Sequence, residues 1–297
     1  MNTLMTSTES RVLAEVADQI SDDLARRLRC SEIAPLLEEA ISYCLLSGGK
    51  RLRPALVLLS AEATGVDRSI ALGPACALEM IHTFSLVHDD LPAMDDDAMR
   101  RGRPTLHVQA GEATAILAGD AMLSMAFEWA TDVAVEPGAI VRIVRELATA
   151  TTDMISGQVY DTIGGLPTEL TDEQRLQIIQ RTKTGALLRA ACRMGAICGE
   201  AEPEAEEHLV AYGEALGEMF QIVDDLLDVT QTAEHVGKAT GKDLDAGKLT
   251  SPGVVGIDKS REEVERLRQR AHAALAALGA EADPLRSLCD EMAVRTR

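Results

Sequence analysis

The chain has 297 residues, a formal net charge of −19 and a sequence pI near 4.7. This negative charge argues against nucleic acid and anionic membrane surfaces as partners, because both attract basic protein surfaces. Hydrophobic residues make up 46% of the chain and aromatic residues only 2%. The strong helix formers Ala, Leu, Glu and Arg dominate. The composition therefore predicts an all-α protein.

Helical patterns separated by glycine and proline fill the first part of the chain. Gly48 and Gly49 would end one helix, Pro54 suits the first turn of the next, and Pro92 should bend or end a later one. Helices are predicted over residues 8–28, 32–46 and 54–63, and from residue 75 into a group of aspartates.

The same kind of pattern continues to the C-terminus. Thr171 and Gln174 have the spacing of a capping box that begins a helix, and residues 231–250 read as a long polar loop. Further helices are predicted over residues 111–131, 138–161, 171–185, 260–278 and 284–294, and from Pro203 into a second group of aspartates. We see no linker or break in composition, so we expect a single domain over residues 1–297.

The cysteines and the apolar segments bear on the cellular setting. The six cysteines show no CxxC spacing and lie mostly among apolar residues, which is typical of reduced, buried thiols. The first ten residues lack the apolar core of a signal peptide. Apolar runs such as residues 54–61 are shorter than the ~20 residues of a membrane span. We therefore expect a cytoplasmic protein without membrane insertion.

Two groups of aspartates are the most informative feature of the sequence. Carboxylates packed this closely repel one another unless cations compensate. On a helix, residues three and four positions apart share a face, and Mg²⁺ prefers one or two carboxylates together with substrate phosphates. The first acidic cluster is Asp89, Asp90 and Asp95, and the second acidic cluster is Asp224, Asp225 and Asp228. Taken alone, either cluster could be a solvated face in so acidic a chain.

Basic residues elsewhere in the chain could compensate the negative charge of these carboxylates and of a phosphorylated ligand. We interpret Arg51 and Lys242 as ordinary surface charges, because each has a neighbour of the same sign. His82 lies two helical turns before Asp89 on the same face, which favours a ligand-facing role, whereas His88 is interpreted as structural. The basic candidates for a phosphorylated ligand are Lys50, Arg53, Arg100, Arg101, Lys183, Lys238 and Lys248.

Five motifs occur in an order that resembles one enzyme family. They are GGKRLRP at 48–54, DDLPAMD at 89–95 followed by RRG at 100–102, GQVYD at 157–161, KTG at 183–185 and FQIVDDLLD at 220–228. The chain resembles the trans-isoprenyl diphosphate synthases, in the bacterial branch that contains farnesyl and geranylgeranyl diphosphate synthases. The resemblance extends from about residue 40 to the C-terminus and implies one large bundle of roughly ten or more helices around a central cavity.

The resemblance also implies roles for the acidic clusters. An allylic diphosphate would be held between the two acidic helices by Mg²⁺, with three ions expected and Mn²⁺ as an alternative. The metal-site residues are then Asp89, Asp90, Asp95 and Asp224, with Asp225 and Asp228 as ligand-supporting positions. Gln158 and Asp161 would support this site from beneath.

The remaining motif residues would bind substrate and assist catalysis by the same resemblance. Isopentenyl diphosphate would be held by Lys50, Arg53, His82 and Arg101, and Lys248 is a further substrate-binding candidate. Arg100, Lys183 and Lys238 would stabilise the departing diphosphate, and oxygens of Thr184 and Gln221 would face the cationic carbon. A lid against water is expected, with residues 231–250 and the C-terminal arginines as candidates. A homodimer is expected as well.

Product length is predicted from the helix face below Asp89. The product would grow past Ser85 and Phe84, four and five residues earlier. A large ring at Phe84 could form a floor that stops elongation, although ordinary core packing of Phe is a serious alternative. Members of the family that this chain resembles usually stop at fifteen carbons when they have an aromatic residue at this position and the two-residue insertion seen here as Pro92 and Ala93. The resemblance therefore favours a C15 product, farnesyl diphosphate, over geranylgeranyl diphosphate.

Other functions fit the sequence less well. Terpene cyclases usually line their cavity with aromatic rings, and this chain has seven aromatic residues (Trp 1, Tyr 3, Phe 3). A non-catalytic regulatory subunit would usually lose one acidic motif, and both are present. A calcium-buffering protein would need an EF-hand loop, which the sequence lacks.

Overall fold

The computed structural model describes residues 8–230 and 249–294. Within these ranges the protein is all-α, as predicted. The first seven helices are α1 (Thr8–Arg29), α2 (Pro35–Leu45), α3 (Leu52–Glu62), α4 (Leu72–Asp89), α5 (Leu106–Ala110), α6 (Glu112–Ala130) and α7 (Pro137–Thr162). The later helices are α8 (Asp172–Ile179), α9 (Ala186–Cys198), α10 (Pro203–Thr230), α11 (Ser251–Val255), α12 (Ile257–Ala274) and α13 (Asp283–Val294).

Several helix boundaries follow the predicted local signals. Helix α4 ends at Asp89, before Pro92, and α8 begins with the predicted capping box, in which Thr171 and Gln174 exchange side-chain to backbone hydrogen bonds. Helices α2 and α7 have proline in their first turn.

Three kinds of short element were not predicted. A two-stranded antiparallel ribbon joins β1 (Met99–Arg100) to β2 (Arg103–Pro104), with Met99 opposite Pro104. A π-helical turn, Gln180–Gly185, connects α8 to α9. Short 3₁₀ turns, Arg68–Ala71 and Ala280–Ala282, precede α4 and α13.

One cluster of buried apolar side chains extends from Val16 to Met292. Helix α4 packs mainly against α6, α3 against α9, and α10 against both α9 and α12. Helices α4 and α10, which carry the two acidic clusters, both contribute many buried residues to the core. The aspartates therefore lie in the last turns of two core helices, with α4 ending at Asp89 and α10 at Thr230.

One segment has the length and composition of a membrane span. Residues Arg68–Asp89 form a continuous helical stretch with a mean hydropathy of 1.5, a segment that the sequence prediction overlooked. In the fold, 72% of its most apolar window is buried within the protein. A buried core helix has the same composition as a membrane helix, so this stretch is weak support for membrane insertion.

The cysteines are all unpaired. Cys30 is exposed and Cys44 is half-buried, whereas Cys76, Cys192, Cys198 and Cys289 are buried. Burial raises the pKa of Cys192 and of Cys198 to about 12. These thiols stay protonated and unreactive at neutral pH, as the sequence predicted.

Candidate active site

The first acidic cluster lies at the C-terminal end of α4 and in the turn that follows. Asp90 is 3% exposed, Asp89 is half-buried and Asp95 is exposed. The turn is closed by the backbone N–H of Asp95, which donates to the carbonyl of Asp89 at 2.9 Å. Burial raises the pKa of Asp89 to about 6, and although Lys183 opposes this shift, the carboxylates of Asp95 and Asp90 add to it.

Arg100 brings a cation directly to this cluster. It belongs to the two-stranded ribbon, and its Nε lies 2.9 Å from both carboxylate oxygens of Asp90, while its Nη2 lies 2.6 Å from Oδ1. Burial raises the pKa of Asp90 although the bond from Arg100 opposes the rise. Two residues predicted to serve the same diphosphate are thus in contact.

The second acidic cluster lies in the last turns of α10 with unequal exposure. Asp224 is exposed, Asp228 is half-buried and Asp225 is 4% exposed. The Oδ1 of Asp225 accepts from Gln221 Nε2 at 2.9 Å, and its Oδ2 accepts from the backbone N–H of Ser251 at 2.8 Å. Asp225 therefore ties α10 to α11, a position that suits the supporting role predicted for it.

Gln221 and Thr184 extend this network towards α9. The hydroxyl of Thr184 donates to Gln221 Oε1 at 2.8 Å. Gln180 donates to the Ser251 hydroxyl at 2.9 Å. These bonds fix the two side chains whose oxygens were predicted to face the reacting carbon.

The π-helical turn places Lys183 beside α7. Its Nζ lies 2.5 Å from Oδ2 of Asp161. Gly157 permits this approach, because a Cβ atom there would lie 2.2 Å from the backbone nitrogen of Lys183. Wide turns of this kind occur frequently at functional sites.

Gln158 lies on α7 between Gly157 and Asp161 with its amide unsatisfied. Both its Oε1 and its Nε2 are buried and have no hydrogen-bond partner among residues 8–230 and 249–294. A buried amide without partners costs free energy, so its environment is suited to a polar ligand.

The donor chemistry fits a divalent cation that binds together with phosphate. Across residues 8–230 and 249–294, no three His, Cys, Asp or Glu side chains form a preassembled metal site. Mg²⁺ does not need one, because it takes a few carboxylates and completes its shell with phosphate and water. Burial is the main cause of the raised pKa of Asp89, and a cation bound there would favour its charged form.

The basic cluster consists of Lys50, Arg53, His82 and Arg101. Arg53 Nη1 lies 3.3 Å from His82 Nε2, while Arg53 Nε is buried and has no hydrogen-bond partner in the part of the chain that the structure describes. Burial lowers the pKa of Arg53 to about 10. The pKa of His82 is lowered well below its usual value, mainly by burial and further by the positive charges of Arg53 and Arg101. At neutral pH His82 is therefore uncharged.

The glycine loop before α3 is held against this cluster. Arg101 donates to the carbonyl of Gly48, and a Cβ atom at Gly49 would lie 2.8 Å from the Arg101 guanidinium. Lys50 is exposed at the end of this loop. The cluster collects cations and backbone groups in the manner of an anion-binding site.

Arg51 is not the ordinary surface charge that the sequence suggested. It is 4% exposed, and its Nη1 lies 2.6 Å from Oε1 of Glu79, itself 3% exposed. Sequence reasoning missed Glu79, although its position three residues before His82 places both on one face of α4.

The two predicted product-length residues lie on α4 as expected. Phe84 is 5% exposed, and its ring meets that of His88 edge to face at 5.8 Å. His88 Nε2 lies 3.2 Å from the carbonyl of Ile116, and Ser85 donates to the carbonyl of His82. His88 thus has the structural role predicted for it.

Part of the predicted site falls outside the described residues. This applies to residues 231–248 of the proposed lid, to the C-terminal arginines, and to Lys238 and Lys248. Lys242, interpreted as a surface charge, lies outside the described residues as well. Their predicted roles remain predictions.

The geometry can be compared with that of known proteins. The family model for polyprenyl synthetase matches residues 34–280. The chain belongs to the polyprenyl synthetase family. This confirms the resemblance to trans-isoprenyl diphosphate synthases and identifies the protein as a prenyltransferase.

Relatives of known name are similar over most of the chain. Geranylgeranyl pyrophosphate synthase 11, chloroplastic, of Arabidopsis thaliana is 47% identical over 268 residues, covering 87% of this chain and 74% of that protein. An FPP/GFPP synthase structure from Zymomonas mobilis is 35% identical with a TM-score of 0.83, covering 96% of this chain and 98% of that one. A geranylgeranyl pyrophosphate synthetase structure from Pyrococcus horikoshii Ot3 is 30% identical with a TM-score of 0.86, covering 97% and 99%.

The comparison corrects the predicted location. The expectation of a cytoplasmic protein is wrong. The Arabidopsis thaliana relatives are named chloroplastic or, for geranylgeranyl pyrophosphate synthase 10, mitochondrial, which points to an organelle. Unpaired buried cysteines report on a reducing environment, which several compartments share, and so could not identify one.

Proposed function

We propose that this protein joins isopentenyl diphosphate to an allylic diphosphate, dimethylallyl or geranyl, in a Mg²⁺-dependent head-to-tail (1′–4) condensation that gives farnesyl diphosphate and diphosphate. The observation that carries the proposal is that the basic cluster adjoins α4, the helix at whose end the first acidic cluster lies. His82 lies seven residues before Asp89 on α4, with Arg53 beside it. Adjacent sites of opposite charge suit two diphosphates, one bound through metal ions and one bound directly.

The allylic diphosphate is assigned to the acidic side. Asp89, Asp90, Asp95 and Asp224 would hold Mg²⁺, three ions in all by family resemblance with Mn²⁺ as an alternative, and Asp225 and Asp228 would support them. The bound cations would neutralise the charge that develops on the departing diphosphate. Arg100 and Lys183 add positive charge on this side, and Asp161 orients Lys183.

The isopentenyl diphosphate is assigned to the basic cluster. Arg53 and Arg101 would pair with phosphate oxygens, as guanidinium groups do bidentately. Neutral His82 would take a hydrogen-bonding role without adding charge. The double bond of this substrate attacks the allylic carbon, and the departing diphosphate would then accept the proton. Thr184 and Gln221 would place oxygen atoms near the cationic carbon.

Product length has two candidates. The buried ring of Phe84 on the face below Asp89 supports a C15 product. The names of relatives at 45–48% identity, geranylgeranyl pyrophosphate synthases, favour a C20 product. We propose the C15 product, because Phe84 is a feature of this chain itself.

A product assay tests both the proposed condensation reaction and the proposed product length. The purified protein is incubated with Mg²⁺, isopentenyl diphosphate and each of the C5, C10 and C15 allylic diphosphates, and the products are sized. Elongation of the C5 and C10 primers that stops at C15 is expected. Absence of elongation with every primer would overturn the function, whereas a dominant C20 product would overturn only the product length.

We also propose a homodimer formed through α6 and α7. Exposed apolar side chains gather there: Ile116 and Leu117 are 43% and 58% exposed on α6, and Ile155 and Val159 are 47% and 41% exposed on α7. Exposed apolar side chains gathered in this way are typical of protein interfaces.

A further inference from the structure

A buried ion pair lies directly behind the basic cluster. Glu79 on α4 accepts from Arg51 Nη1 at 2.6 Å, and the other terminal nitrogen of Arg51, Nη2, donates to the carbonyl of Leu45 at 2.7 Å. Glu79 and Arg51 are 3% and 4% exposed. The guanidinium therefore joins α4 to the end of α2, across the loop that contains Lys50.

The backbone at Arg51 makes this pair more than a packing contact. Arg51 has a φ of 49°, in the left-handed region that residues other than glycine rarely adopt. It is the N-cap of α3, one residue after Lys50 and two before Arg53. A strained backbone persists where surrounding contacts hold it in place. The contacts of the Arg51 side chain with Glu79 and Leu45 can hold the Arg51 backbone in this left-handed conformation.

We propose that Glu79 is a positioning residue for the isopentenyl diphosphate site, acting by holding Arg51 in its left-handed conformation and thereby directing Lys50 and Arg53 towards the substrate. This inference rests on the proposed function. Glu79 does not contact substrate in this account, since it is buried behind the loop. Its effect is transmitted through one side chain and the backbone on either side of it.

The competing explanation is that Glu79 only balances the positive charge of the basic cluster. The two explanations predict opposite effects of neutralising Glu79 on anion binding. Glu79 is a carboxylate close to Arg53 and Arg101, and it attracts both. If it only balanced their charge, neutralising it would strengthen the attraction of the cluster for an anion. If it positions the loop, neutralising it would weaken anion binding.

The test uses Glu79→Gln, which keeps the shape of the side chain and removes its charge. KM is measured separately for isopentenyl diphosphate and for the allylic substrate. We expect the KM for isopentenyl diphosphate to rise roughly tenfold or more, while the KM for the allylic diphosphate stays within about twofold of its original value. An unchanged or lower KM for isopentenyl diphosphate would overturn the inference.

A binding measurement separates this inference from the function itself. Inorganic diphosphate is titrated calorimetrically into the protein without divalent metal, when the acidic clusters repel anions and the basic cluster remains available. Weaker binding to Glu79→Gln than to the unaltered protein is expected. If the unaltered protein makes no prenyl product but this difference is found, the function fails and the positioning role stands. If the protein is active and the difference is absent, only the positioning role fails.

Two further variants guard against a general loss of structure. Asp23→Asn removes another buried carboxylate, 7% exposed, whose partners are Arg26, Arg27 and Cys76 rather than Arg51, and should leave both KM values unchanged. Arg51→Lys should reproduce the rise in KM for isopentenyl diphosphate, because an ammonium cannot hold Glu79 and Leu45 together as the guanidinium fork does. If Glu79→Gln does not fold, Arg51→Lys decides the question alone, and an unchanged KM there would overturn the inference.

Discussion

At the scale of single residues, three cations in or behind the candidate site are each paired with one carboxylate. Arg100 is bonded to Asp90, Lys183 to Asp161, and Arg51 to Glu79. An ion pair with good geometry restricts a long side chain that would otherwise sample many rotamers. Substrate therefore meets cations that are already oriented.

Asp161 is predicted to matter through Lys183. Asp161→Asn removes the carboxylate 2.5 Å from Lys183 Nζ, so the lysine loses its fixed position and kcat should fall by roughly tenfold to a hundredfold. Single-turnover kinetics with saturating substrates measures the effect.

Asp153→Asn is the matched control for that experiment. Asp153 lies two turns earlier on α7, where it pairs with Arg189 at 3.2 Å. Its loss should leave kcat within about twofold, since partly exposed ion pairs contribute little. Equal losses in the two variants would contradict the role of Asp161.

Phe84 is predicted to limit product length. Replacing it with alanine removes the ring below Asp89 and should shift product from C15 to C20 and longer, as chromatography of dephosphorylated products would show. Phe127→Ala on α6 removes another partly buried ring from the core and should weaken folding without changing length. A product that stays at C15 in Phe84→Ala would assign Phe84 to core packing alone.

At the scale of elements, close helix crossings position the candidate catalytic side chains. The π-helical turn between α8 and α9 reaches α7 because Gly157 leaves room for it, and the same turn reaches α10 through the bond between Thr184 and Gln221. Both crossings tolerate little change in volume, because protein interiors are close-packed.

Gly157→Ala is predicted to disturb this crossing. The added methyl would lie 2.2 Å from the Lys183 nitrogen and 2.6 Å from its Cα, so the turn must shift. We expect a loss of about 1–3 kcal/mol in the free energy of unfolding, measured by denaturant titration, together with reduced activity.

Gly138 provides the control on the same helix. A Cβ atom there meets nothing within 4 Å, so Gly138→Ala should be neutral or should stabilise the helix by up to about 1 kcal/mol. If both variants behave alike, helix propensity rather than the crossing explains the result.

The helices were predictable from sequence to the extent that local signals set their ends. Helix α4 ends before Pro92 and α8 begins at its capping box as expected, because proline and capping residues act over one turn. The candidate site residues on these helices were predicted from motifs, and their roles remain predictions. Arg51 was misjudged because its burial depends on Glu79, which is distant in sequence and meets it only in the fold. The π-helical turn leaves no signal in apolar periodicity, so it was not predicted either.

At the scale of the whole molecule, one unbroken core supports the proposal of a single domain. Buried residues from α1 to α13 belong to one cluster, and the family model spans residues 34–280. The acidic and basic clusters are attached to that core through α4 and α10, and a rigid scaffold of this kind can hold two diphosphates at a fixed separation.

The proposed dimer is predicted to depend on α6. Leu117→Glu places a charge in the exposed apolar face and should convert a dimer into a monomer, since a buried unpaired charge is costly. Light scattering after gel filtration measures the mass. Leu36→Glu, at an apolar side chain that is 61% exposed on α2, should leave the mass unchanged. A dimer that persists in Leu117→Glu would place the interface elsewhere.

The π-helical turn has a consequence for changes in chain length. The turn contains one residue more than an α-helical turn would need. This extra residue determines how α9 is rotated about its axis relative to α8. Deleting one residue would rotate the later helix by about 100° and turn its buried face, including Leu187 and Leu188, away from the core. Whereas surface loops of this protein can lengthen or shorten at little cost, the count of residues between Gln180 and Gly185 is fixed by the packing on either side.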